Sequence, residues 1–196
     1  MRLFVAIVPP DDVLEDLADF LGPRRDAGTD LRWTDPHQWH LTLAFMGSAP
    51  PRVLDDLGER LGRVGRRHSP LRLAVAGAGC FPDVARARVL WSAVTDEAGG
   101  LPPLARSVRG VAAKAGAEPE GGPFRGHLTL ARLPRPADAT RWLRVLQGYA
   151  GPAWEACELT LVESHLGQGR GGRPRYDVLE RFPLGRGGDG PRSPGR

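Results

Sequence analysis

Apolar and polar positions follow two rhythms along the chain, one of two residues and one near 3.6, and their succession predicts interleaved strands and helices. Residues 2–8 (RLFVAIV) form an apolar, β-branched run that stops at Pro9-Pro10, which predicts a strand. Val13, Leu14, Leu17, Phe20 and Leu21 then recur at helical spacing behind Asp11-Asp12, and Gly22-Pro23 is expected to close that helix. Residues 39–46 (WHLTLAFM) predict a strand and 51–66 a helix with Val53, Leu54, Leu57, Leu61 and Val64 on one face. Strands follow at 71–76 and 87–94, with a turn around Gly77–Asp83 between them. The order then repeats: a helix over 101–115, a Gly/Pro/Glu loop, a strand over 124–133, a helix near 138–148, and strands at 157–165 and 176–182. Residues 185–196 (GRGGDGPRSPGR) carry no apolar anchor and are expected to be a disordered tail. Strands and helices mixed in this way define an α+β class.

Composition narrows the picture modestly. The chain has 196 residues, 41% hydrophobic and 26% charged, enough for one globular domain or two small lobes sharing a core. No apolar run approaches the roughly 18 residues of a membrane span. The apolar N-terminal run is also too short for a signal peptide, so a soluble, cytoplasmic protein is expected. Two cysteines, Cys80 and Cys157, cannot supply a disulfide framework or a four-ligand zinc site by themselves. The net charge is +4, but the last twelve residues hold three Arg and one Asp and supply half of it. Overall charge therefore says little about nucleic acid, and local clusters say more: Arg125, Arg132 and Arg135 in one place, Arg170, Arg173 and Arg175 in another.

One repeat carries chemistry. His40-Leu41-Thr42-Leu43-Ala44 recurs as His127-Leu128-Thr129-Leu130-Ala131, 87 residues later, each on a predicted strand. Strict alternation puts His40 and Thr42 on one face and the leucines on the other, with His127 and Thr129 arranged likewise. The repeat predicts two related lobes facing one another across a cleft that holds two imidazoles and two hydroxyls. That set has neither a Ser or Cys nucleophile nor the carboxylates a hard metal needs. It suits acid–base work on phosphorus: one imidazole deprotonates water, the other protonates the leaving oxygen, and Thr42, Thr129 and nearby arginines bind the non-bridging oxygens.

The two H-x-T-x strands resemble those of the two-histidine (2H) phosphoesterases, and within them the bacterial and archaeal RNA 2′,3′-cyclic phosphodiesterases, also called 2′-5′ RNA ligases. The resemblance covers about residues 1–184, through RLFVAIVPP, LRWTDPHQWHLTLAFMG, RVLWSAV, PFRGHLTLARL and the closing SHLG…PRYDVLERFPL. It implies two pseudo-symmetric lobes, each a mainly antiparallel sheet with outer helices, and hydrolysis of RNA 2′,3′-cyclic phosphate to a 2′-phosphomonoester. It implies His40 as proton donor toward the 3′-oxygen and His127 as the acceptor that activates water, with no metal and no cofactor. The implied partner is RNA with 2′,3′-cyclic phosphate or 2′-phosphate ends, acted on by a monomer without an obligate protein partner. Reversible 2′-5′ ligation, hydrolysis of another cyclic phosphate, and binding of RNA ends without turnover are the alternatives.

Further candidates line the expected cleft. Arg125 and Arg132 are candidate phosphate contacts, and Phe45 and Trp39 candidate stacking surfaces, with core packing the plainer role for both aromatics. Tyr176, Ser164 and His165 form a candidate rim. Ala44 stands where the family often carries Lys; alternation puts it on the cleft face, so a phosphate-contacting cation is expected to be missing there. His37 and His40, three apart, cannot share a metal from a strand. The Gly-rich loop Gly167–Gly172 lacks the Lys-Ser/Thr of a phosphate-binding loop and reads as a hairpin loop or an RNA-facing rim.

Overall fold

A computed structural model of the chain describes residues 1–27 and 31–185. The expected tail thus lies outside the described residues except for Gly185, whose N–H donates to the carbonyls of Gly65 and His68.

Among the described residues nine strands and four helices follow in order: β1 (Leu3–Ile7), α1 (Asp11–Ala27), β2 (Arg32–Trp33), β3 (Leu41–Met46), α2 (Leu54–Arg67), β4 (Leu71–Phe81), β5 (Ala87–Asp96), α3 (Leu101–Lys114), β6 (His127–Ala137), α4 (Thr140–Leu146), β7 (Ala150–Ala156), β8 (Glu158–His165) and β9 (Arg175–Pro183). The strands form one curled antiparallel sheet in the order β7-β4-β5-β6-β3-β1-β8-β9, with β2 added beside β6. The two strands bearing the repeat lie at its centre, and their ladder is a single pair, Leu41 opposite Leu128. On one side β3, β1, β8 and β9 are covered by α2 and α3; on the other, β4 to β7 are covered by α1 and α4.

The halves of the sheet are therefore not the halves of the chain. All five residues of β1 are buried, so it needs a neighbour on each side, and it finds them in β3 and in β8 from the far end of the sequence. The main core, with Leu3, Val5, Leu41, Leu43, Leu90, Leu128 and Leu130, fills the space between sheet and helices. A smaller cluster of Phe4, Ala6 and Val162, joined by Phe45 and Tyr176, sits on the opposite, concave face.

Several boundaries differ from the sequence reading. Helix α1 runs past Gly22-Pro23 to Ala27, because Pro23 falls near its end and forfeits one backbone bond. There Arg24 donates to the Phe20 carbonyl and lies 3.9 Å above the Phe20 ring. Strand β4 continues through the expected turn to Phe81 by way of an irregularity between Ala76 and Gly79. Strand β7 has no counterpart in the sequence reading: it is an edge strand that contains Pro152 and buries only Trp154 and Ala156, so its pattern is weak. The expected strands at 39 and 124 begin only at Leu41 and His127.

Close approach explains Gly65 of α2. A Cβ on Gly65 would stand 2.4 Å from the Pro183 carbonyl oxygen of β9, whereas one on Gly110, on the exposed side of α3, would meet nothing within 4 Å. Gly65→Ala should therefore lower stability by about 1–3 kcal/mol through overpacking, while Gly110→Ala should raise it by about 0.5–1 kcal/mol through helix propensity. Urea unfolding of the two variants checks both signs.

Candidate active site

Each copy of the repeat departs from strict alternation at the same place. On β3, Thr42 pairs with Ala6 but Val5 pairs with Ala44, leaving Leu43 as the extra residue of a bulge. On β6, Thr129 pairs with Trp91 but Leu90 pairs with Ala131, leaving Leu130 extra. The carbonyls of both bulged leucines accept hydrogen bonds from outside these pairs: Leu43 from Arg109 Nε at 3.1 Å, Leu130 from the Thr34 N–H at 2.8 Å. A bulge puts two successive residues on one face. Leu43 and Ala44, like Leu130 and Ala131, are therefore all in the main core.

This overturns the expectation for Ala44. It is 1% exposed beneath the sheet, so it leaves no gap in the cleft. The position after it faces the cleft instead, and there the two copies differ: Phe45 on β3, paired with Phe4, and Arg132 on β6, paired with Val89. The concave face thus holds His40, Thr42 and Phe45 from one half and His127, Thr129 and Arg132 from the other. The doubt over a missing cation at Ala44 falls with the alternation that suggested it.

The imidazoles are held identically. His40 Nδ1 lies 2.7 Å from the Gln38 carbonyl, and His127 Nδ1 lies 2.7 Å from the Arg125 carbonyl, each two residues upstream. A carbonyl only accepts, so each Nδ1 carries the proton and each Nε2 is left for chemistry. Burial is the main cause holding both imidazoles below their ordinary pKa; the carbonyl bonds oppose it, while the positive charge of His127 lowers His40 further and that of Arg132 lowers His127.

Aromatic rings flank both histidines. Phe4 stacks on His40 at 4.5 Å between centroids, and Tyr176 meets His40 edge-on at 5.4 Å. On the other side Phe81 stands edge-on to His127 at 5.1 Å and Trp91 is tilted against it at 5.8 Å. Trp91 can lie there because residue 79 is glycine: a Cβ would fall 2.1 Å from the indole. Burial pushes the Tyr176 hydroxyl up, and the charges of Arg132 and Arg2, one from each half, oppose it. Arg2 also lies over the Phe45 ring at 4.4 Å.

Other expected residues lie elsewhere. Arg125 contributes its carbonyl to His127, but its side chain is exposed, and the arginine whose charge bears on His127 is Arg132. Trp39 is buried in the main core and offers no stacking surface. Ser164 pairs with Tyr176, but the adjacent His165 takes the other face, with Asp177 Oδ2 at 3.0 Å and Glu163 Oε2 at 3.7 Å. His37 sits exposed in the 3-10 turn Pro36–Gln38, capped by Asp35. Arg2, Phe4, Phe81, Trp91 and Gln38 go unmarked in the sequence reading. Other strands of the sheet bring Phe4, Phe81 and Trp91 to the histidines, Gln38 sits in the turn just ahead of His40, and nothing in their local pattern singles them out.

Two pinned imidazoles at the entries to the paired central strands thus share one face with two hydroxyls and a guanidinium. Residues 7–91 match the LigT-like phosphoesterase family. An RNA 2′,3′-cyclic phosphodiesterase of Thermus thermophilus is 38% identical, over 94% of this chain and 90% of that protein. One from Geobacillus stearothermophilus is 28% identical over 95% of this chain, which spans only 60% of that longer relative. A crystal structure of a Thermus thermophilus protein superposes with a TM-score of 0.75 at 32% identity, covering 95% of this chain and 99% of that one. Escherichia coli LigT complexed with 3′-AMP gives 0.74 at 27% identity, covering 93% and 97%. The chain belongs to the LigT-like phosphoesterase family.

The bulge has a direct test. Ala44→Lys would drive an ammonium into the core, and should destabilise the protein by at least about 2 kcal/mol. Thermal melting should show the loss, and substrate KM should not fall; a stable variant with lower KM would mean that residue 44 reaches the cleft.

Proposed function

We propose that the protein hydrolyses RNA 2′,3′-cyclic phosphate ends to 2′-phosphomonoesters, as a cytoplasmic monomer using two histidines without a metal or other cofactor. The supporting observation is the matched pinning of His40 and His127, which presents two equivalent Nε2 atoms on one concave face. The names of the relatives and the 3′-AMP complex of Escherichia coli LigT support an RNA-end substrate.

In this reading neutral His127 takes a proton from water at Nε2 as the water oxygen bonds to phosphorus. The bond from phosphorus to the 3′-oxygen breaks, and protonated His40 delivers its Nε2 proton to that oxygen, leaving phosphate on the 2′-oxygen. Thr42, Thr129 and Arg132 hold the non-bridging oxygens as charge builds on them. Phe45 and Tyr176 supply ring surface for the terminal nucleoside, with Arg125 at the outer margin. The Gln38 and Arg125 carbonyls stabilise each imidazolium as it forms and fix which nitrogen reacts.

His40→Ala and His127→Ala should each lower turnover of a short cyclic-phosphate RNA by at least about 10²-fold while remaining folded. The wild type should work in EDTA and yield a 2′-phosphate; activity that EDTA abolishes would reject the cofactor-free mechanism. The pH dependence follows from the direction of both shifts. His40 must be protonated and His127 neutral, and both lose their protons below the ordinary imidazole value. Both limbs of the kcat/KM bell therefore move acidward, and its maximum should lie below about pH 6.5. A bound phosphate anion favours imidazolium, so the kcat profile should sit to the alkaline side of it. A kcat/KM maximum well above neutrality would contradict this assignment.

A further inference from the structure

Beside the His40 half of the cleft, an open concavity of about 700 Å³ lies between the Pro36–Gln38 turn and the loop joining β8 to β9. Arg170, Arg173 and Arg175 line it together with His37, and Asp35 is its one carboxylate. Three guanidiniums against one carboxylate give the lining a positive charge that suits an anion.

The loop has a defined shape. The Gly169 N–H donates to the Arg173 carbonyl at 2.7 Å and the Gly172 N–H to the Gly169 carbonyl at 3.1 Å. Gly171 and Gly172 adopt φ of 66° and 72°, a turn that side chains resist, and it carries Arg170 to the concavity. Arg173 lies 3.5 Å from Asp35 and Arg175 lies 3.0 Å from Asp177, both exposed pairs of small worth that an anion can share. Arg170 has no carboxylate within ion-pair reach among the described residues.

Two residues connect this concavity to the chemistry. Gln38 Nε2 donates to the Pro174 carbonyl at 2.7 Å, tying the loop to the turn, while the Gln38 backbone carbonyl receives His40 Nδ1–H. The Tyr176 ring belongs to both places: it lines the concavity and stands edge-on to His40.

We propose that the concavity binds the phosphodiester next to the reacting terminus, so that the enzyme recognises a single strand of RNA and not only its last nucleotide. This rests on the RNA-end reading above. A strand leaving the histidines past Tyr176 meets the three guanidiniums next, and its phosphate engages Arg170 first because that cation has no carboxylate to give up.

The test compares wild type, Arg170→Ala and Arg170→Lys on a nucleoside 2′,3′-cyclic phosphate and on a trinucleotide with the same end. The wild type should prefer the trinucleotide. Arg170→Ala should cut that preference at least about threefold, mainly through KM, and Lys should restore part of it. Equilibrium binding of a trinucleotide 2′-phosphate provides a readout that needs no turnover. The slope of log affinity against log salt should flatten by about 0.7 in Arg170→Ala, the value for one lost single-strand phosphate contact. Equal losses on both substrates, or an unchanged salt slope, would overturn the subsite. Wild type inert toward both substrates, with the slope change intact, would instead overturn the hydrolase reading and leave the subsite standing.

Discussion

The cleft depends on one irregularity made twice: the residue after each Thr-bearing position is left out of the ladder. Without those bulges the repeat would alternate strictly, and both alanines would occupy the concave face. With them, each strand turns Phe45 or Arg132 toward the histidines and sinks the preceding alanine into the core. The carbonyls freed by the irregularity are bonded by Arg109 and by the Thr34 backbone, so the bulges are fixed parts of the sheet. Chemical asymmetry thus enters a symmetric frame at a single position per half: an aromatic ring on one strand, a cation on the other.

A second constraint keeps the imidazoles ready. Each histidine sits at the point where the chain enters its strand, and each reaches back to a carbonyl two residues upstream. The bond selects the tautomer, and the flanking aromatic rings limit how the imidazole can turn. Burial then disfavours the charged form on both sides of the cleft. An anion between the imidazoles would favour their charged forms again, which in the proposed mechanism links protonation of His40 to occupancy of the site.

Much of this is legible in the sequence, and the rest fails for identifiable reasons. The strands at 2–8, 71–76, 87–94, 157–165 and 176–182 are readable because their apolar runs end at Gly, Pro or charged residues. The repeated H-L-T-L-A marks the two histidines because five identical residues recur on strands. Two kinds of information are not local. The bulge is a relation between strands, so counting alternation along one strand assigns Ala44 to the wrong face. The ring partners of the histidines come from β1, β4, β5 and β9, and their positions follow from registers that no single segment encodes. Strand β7 escapes for a third reason: an edge strand needs few apolar side chains, and AGPAWEA has almost none.

The ladder between the two central strands is a single rung, Leu41 opposite Leu128. Within each half the strands are laced by longer antiparallel registers. Across the middle the sheet is continuous in name but nearly unlaced. What sets the two imidazoles relative to one another is therefore packing: Leu41 and Leu43 on one side of that rung and Leu128 and Leu130 on the other share a single buried core, which spans the middle where the ladder does not.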